Sequence, residues 1–166
     1  MSRLIVFCCL HVVFLCGCAS YSVVGCFDEY NELFIGKVKA NMLAGTSKIT
    51  VQGINTGLSA EGSSWITYIP LLGTCQGQRG EAILTFGDGR IVKVLFTALS
   101  CTTGVGAGAD QYGNTFNFKF GLRKQQVEQY IEETKKRIKD RPDLPAMPTG
   151  ETEKKPAREK PNVIRI

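Results

Sequence analysis

Between residues 75 and 121 the chain reads CQGQRGEAILTFGDGRIVKVLFTALSCTTGVGAGADQYGNTFNFKFG, and the fold is decided here. Two β-rich runs, Glu81 to Phe86 and Arg90 to Ala98, flank Gly87-Asp88-Gly89. An Asp-Gly pair between such runs is the strongest short-range hairpin signal, because a type I′ turn needs positive φ at both central positions. Pairing across a two-residue turn puts Ala82, Leu84 and Phe86 on one face with Ile91 and Leu95, and Ile83 on the other with Val92, Val94 and Phe96. With both faces apolar, the hairpin is expected to sit centrally, covered on two sides. Beyond it, Gly104, Gly106 and Gly108 form a glycine-rich turn that leads into the alternating strand Thr115 to Phe120. Asp110 and Gly113 cap the tight turn between them, and Phe116, Phe118 and Phe120 point together into the core. Asp88 and Gly89 serve the hairpin in the same structural way.

Upstream, the strand-like segments Leu33 to Ala40, Lys48 to Ile54 and Trp65 to Ile69 are separated by loop-like clusters such as Asn55-Thr56-Gly57. Short strands with turn signals every ten to fifteen residues give a mainly β fold, a small antiparallel sandwich or barrel-like domain over residues 33–121. Residues 18–32 read as a lead-in of mixed character. From Leu122 the period changes: Val127, Tyr130, Ile131, Thr134 and Ile138 make one stripe, predicting a helix over 122–141 that packs on the β-domain. Glu132 with Lys136 and Glu133 with Arg137 are i, i+4 pairs that favour it. Residues 142–166, rich in Pro, Lys and Glu, are expected to be a disordered basic tail.

The chemistry-bearing residues are few. The only histidine, His11, lies in the apolar leader, so a chain lacking that segment has neither a Ser-His-Asp nor a Cys-His constellation, nor the commonest zinc ligand. The glycine run at 104–108 leads into a strand and not a helix, so it is no dinucleotide fingerprint. As a single copy it is no stacked calcium repeat either. No catalytic residue, metal or cofactor is expected. Residues 18–121 carry seven Lys/Arg and seven Asp/Glu, so the net charge of +5 lies mainly in residues 122–166, which carry twelve against eight. That distribution argues against a nucleic-acid face on the domain. In an oxidising compartment Cys75 and Cys101, bracketing the hairpin, are natural disulfide partners. Cys26 is left over, either buried, paired with another chain or competing for one member of that bridge.

Behind Arg3 runs LIVFCCLHVVFL, Leu4 to Leu15, and then Cys16-Gly17-Cys18. Twelve apolar residues are too short to span a bilayer as a helix and fit a signal-peptide core. Leu15-Cys16-Gly17-Cys18 resembles the lipobox of bacterial lipoproteins, with Leu three positions before the modified cysteine and Gly just before it. The resemblance covers the first twenty residues only. It implies cleavage after residue 17 and lipidation of Cys18, which would hold the chain in a membrane through buried acyl chains. Ala19 and Ser20, with no Asp after the cysteine, resemble lipoproteins of the bacterial outer membrane, facing the periplasm or cell surface. An ordinary cleaved signal or an uncleaved anchor are the alternatives. The function expected is a non-enzymatic envelope lipoprotein with a structural role or a protein or cell-wall partner. A small-ligand or metal-binding β-module is the second reading, and a carboxylate-dependent glycan hydrolase the third.

Overall fold

In the computed structural model, which describes residues 18–41, 44–71 and 73–148, eight strands close on themselves. They are β1 (Cys18–Phe27), β2 (Leu33–Asn41), β3 (Thr46–Gly53), β4 (Ser59–Tyr68), β5 (Arg79–Phe86), β6 (Ile91–Ala98), β7 (Gly104–Asp110) and β8 (Thr115–Phe120), followed by helix α1 (Lys124–Lys139). Each strand pairs antiparallel with its neighbour in sequence, and β1 pairs with β8 to complete a barrel. Of the two expected architectures, sandwich or barrel, the chain takes the second.

The segment 18–32 is not a lead-in. Residues 18–27 form β1, paired on both sides: Val23 lies opposite Gly36 of β2 and Phe120 of β8. Its inward residues Val23 and Phe27 join the core. Its outward residues Val24 and Cys26 are buried too, on the side where α1 packs. A strand covered on both faces loses the alternation that marks a half-exposed one.

The central hairpin is where the residues 81–98 place it, but its register differs from a two-residue turn. Phe86 N donates to Arg90 O and Gly89 N to Phe86 O, leaving a three-residue loop with Gly89 at φ +85°, the geometry of a turn followed by a glycine bulge. The extra residue moves β6 by one: Ala82 faces Val94 and Leu84 faces Val92. Ile83, Ile91 and Leu95 consequently point outward and are exposed, so the hairpin is covered on the inner face only.

Gly104 to Asp110 is a strand, β7, and not a turn. Its glycines face the interior for steric reasons. A Cβ on Gly104 would lie 2.4 Å from the Phe120 ring and one on Gly106 2.3 Å from the Phe118 ring, while Gly108 abuts the Lys93 carbonyl. Bulky β8 is thus accommodated by bare β7. Eight strands leave an interior that side chains can fill. Phe27, Phe34, Phe86 and Phe116 meet at one end with ring centroids 5.0 to 6.1 Å apart, mostly edge to face, a geometry that adds about 0.5–1.5 kcal/mol per pair beyond area burial. The cavity left among Val23, Ile49, Val51, Leu84, Phe116 and Phe118 is about 10 Å³.

Two ends follow from the topology. At the mouth, β1, β3, β5 and β7 begin; at the base they finish. Helix α1 starts near the mouth, where Gly121 N donates to Ser22 O at 2.8 Å, and runs along β1 with Thr134 buried and Val127, Tyr130, Ile131 and Ile138 half-buried beside it. That is the stripe expected from the sequence. Arg137 does not pair with Glu133: it reaches Cys26 and Asp28 on the barrel. The first residues of the supposed tail, 142–148, are placed against the base, with Met147 buried.

Candidate functional site

The base is built from charge. Arg90, only 4% exposed, sits at the start of β6 between the rings of Phe27 and Tyr30, 5.5 and 5.2 Å from their centroids. Its Nε donates to Asp88 Oδ2 at 2.7 Å, its Nη2 pairs with the same carboxylate, and Nη2 also donates to Pro148 O at 2.8 Å. Nη1 has no partner among the described residues; the flanking π faces partly compensate it. Glu32, fully buried, accepts from Asn55 N at 2.9 Å. Asp110 accepts from the Tyr112 and Asn114 backbones, both at 2.9 Å, and from Asn114 Nδ2 at 2.7 Å. Glu29 accepts from Thr115 N and Asp28 from Asn117 Nδ2, both at 2.8 Å. Burial lifts the Tyr30 hydroxyl above its ordinary range, opposed by nearby Arg90. Each carboxylate is committed to holding a loop. Over them lies the segment 144–148, where Pro145 O accepts from Asn31 N at 3.0 Å. The base is a plug.

On the wall, Cys26 is a buried free thiol. Its Sγ is 2.9 Å from Arg137 Nη2 and 3.8 Å from the Tyr130 hydroxyl, so the residue joins β1 to α1. The outer wall carries exposed Lys37, Lys39, Lys48, Glu61, Glu81 and Lys93. Exposed Ile35, Ile83, Leu95 and Val105 stand among them, so this wall mixes charged and apolar side chains where a lipid-embedded barrel carries an apolar outer band. No helix among the described residues is long and apolar enough to cross a membrane.

The mouth is different in kind. A depression of about 730 Å³ opens there, lined by Lys39, Asn41, Ser47, Lys48, Ser64 and Trp65 among others. At its floor the Ser47 and Ser64 hydroxyls bond at 2.6 Å. Beside it the loops 69–78 and 99–103 are tied by the Cys75–Cys101 disulfide, expected from the sequence and present with a Cα separation of 4.7 Å. Tyr68, Ile69, Leu71 and Leu99 stand exposed on this rim.

No family model, curated protein or solved structure matches the chain.

The residues singled out beforehand are spread over the molecule. Asp88 and Gly89 lie in the base hairpin loop, Asp110 and Gly113 in the neighbouring one, where Gly113 takes φ +84°. Gly104, Gly106 and Gly108 line the interior, and Cys75 and Cys101 hold the mouth. Cys18 is the first residue of β1. No group of three His, Cys, Asp or Glu that could hold a metal occurs among the described residues. Three features went unread: the Arg90–Asp88 pair, Met147, and the adjacency of Lys39 and Lys48. The first had a signal, since Arg90 directly follows the turn that holds Asp88. Met147 had none in a tail of polar composition.

Proposed function

We propose that the chain is an envelope lipoprotein, anchored through Cys18, whose barrel is a non-enzymatic structural or protein-interaction body. The observation that carries the proposal is the Cys75–Cys101 bridge in the folded domain behind a lipobox-like leader: a structural disulfide suits an oxidising compartment outside the cytosol. The filled interior speaks against a ligand enclosed in the barrel, and the base carboxylates, each engaged by backbone or side-chain donors, speak against a hydrolase pair facing a cleft. The depression at the mouth favours one second reading, a small polar ligand held between Lys39, Lys48 and Trp65. Intact mass of the chain taken from its host membrane tests the first reading. A mature chain beginning at Cys18 with an acyl adduct and two oxidised cysteines is expected; an unacylated chain with all thiols free would overturn it. A ligand at the mouth would instead raise the melting temperature in a dose-dependent way.

A further inference from the structure

Charge is sorted along the barrel axis. Asp28, Glu29, Glu32, Asp88 and Asp110 all stand at the base, while the described mouth residues 44–45, 69–71, 73–78 and 99–103 include no Asp or Glu. Near the mouth the outer wall carries Lys39, Lys48 and Arg79, with exposed Glu81 among them opposite Trp65. The strand register sets Ser20 opposite Lys39, Lys39 opposite Lys48, and Lys48 opposite Ser63, one row across four strands. Directly opposed like charges are unfavourable, and an anion seated between them relieves the repulsion. Just beyond the row the rim is apolar: Tyr68 is 52% exposed, Ile69 60%, Leu71 90% and Leu99 54%. Trp65 lies half-buried on the same outer wall. Aromatic, aliphatic and lysine side chains in this order are what a membrane interface selects.

The chain's own direction names the occupant. Only Cys16 and Gly17 separate the apolar run ending at Leu15 from β1, which starts at the mouth. At about 3.6 Å per residue those two positions reach no further than roughly 10 Å. On the anchored reading, with a lipid on Cys18 or with the apolar run itself in the membrane, the bilayer lies against this end.

We propose that the mouth rests on an anionic phospholipid surface, with Ile69, Leu71 and Leu99 at the acyl boundary, Tyr68 and Trp65 at headgroup level, and the Lys39–Lys48 row on phosphates. The proximity rests on the anchored reading above; the sorting of charge and apolar side chains does not. Trp65 is the sole tryptophan and reports directly. In vesicles of phosphatidylcholine and phosphatidylglycerol brominated near the headgroup, the acylated full-length mature chain should float with the vesicles and show quenched Trp65 emission. A Trp65→Phe, Tyr112→Trp variant, whose probe sits on the base, should float unquenched. Leu71→Asp with Leu99→Asp should abolish quenching without preventing flotation. In the Cys18→Ser chain, Lys39→Gln and Lys48→Gln should each weaken binding to anionic vesicles roughly fivefold. Flotation with both probes equally unquenched would overturn the membrane face and leave the anchor standing, assigning the apolar rim to a protein or ligand. If the native chain does not float, the anchor falls and the Cys18→Ser chain decides: quenched binding to anionic vesicles sustains the face, and no binding overturns it.

Discussion

Gly106 shows how little freedom single positions have in a barrel of this bore. Its inward Cβ would meet two atoms of the Phe118 ring and the Leu95 carbonyl inside 3 Å, and the ring has nowhere to go in an interior with a cavity of about 10 Å³. Gly106→Ala should therefore destabilise by about 1–3 kcal/mol, read as a lower urea midpoint with unchanged slope. Asp88 is constrained by charge instead of shape. Its side chain is 5% exposed and so is that of its partner Arg90. Asp88→Asn leaves a buried guanidinium without its counter-ion and should cost about 3–5 kcal/mol, with the Asp88→Asn, Arg90→Met pair losing much less than the two singles added. Of these two residues, Asp88 is legible as a turn residue and Arg90 as a nearby partner, but the burial of the pair is not, because nothing in Gly87-Asp88-Gly89-Arg90 says that a distant segment, 144–148, will seal it from water.

Elements differ in how openly they announce themselves. Helix α1 could be read residue by residue, since one face meets the barrel and the other meets solvent. The hairpin β5–β6 is legible in position but not in register, because Gly87-Asp88-Gly89 suits a two-residue or a three-residue loop and only the interior decides. β1 is not legible because α1 hides its outer face. That same burial gives α1 a testable signature. Desolvation, and then neighbouring Cys26, push the Tyr130 hydroxyl well above its ordinary value of 10.0, so the folded state keeps a proton that the unfolded chain gives up. The contribution is whole below about pH 10 and is lost as the pH rises beyond it. Urea melts across pH should show the stability difference between the native chain and Tyr130→Phe constant near neutrality and narrowing in alkali; parallel curves would refute the assignment. The mouth loops carry a second test. Their disulfide closes 26 residues, so Cys75→Ala with Cys101→Ala should cost roughly 2–4 kcal/mol, visible as a lower melting temperature.

For the molecule as a whole, sandwich and barrel could not be told apart in advance, since strand alternation is the same in both and only the β1–β8 pairing distinguishes them. The base plug is a further property of the complete chain. Ending it at Asp143 removes Met147 and the Pro145 and Pro148 carbonyls that engage Asn31 and Arg90. Loss of the Met147 burial alone is worth about 1.5–3 kcal/mol, and calorimetry of the shortened chain should find at least that deficit.

The circular order of the strands has one more implication, for biogenesis. The partner of the first strand is the last, so the ring stays open until residues 115–120 have arrived. Any nascent or interrupted chain shorter than that displays two raw sheet edges, one on β1 and one on the last strand formed, ready to recruit another copy. A polypeptide of this topology gains from being released whole. Its helix, laid along β1 with Tyr130 under the Lys119 ammonium of β8 at 5.0 Å, then acts as a clasp over the join.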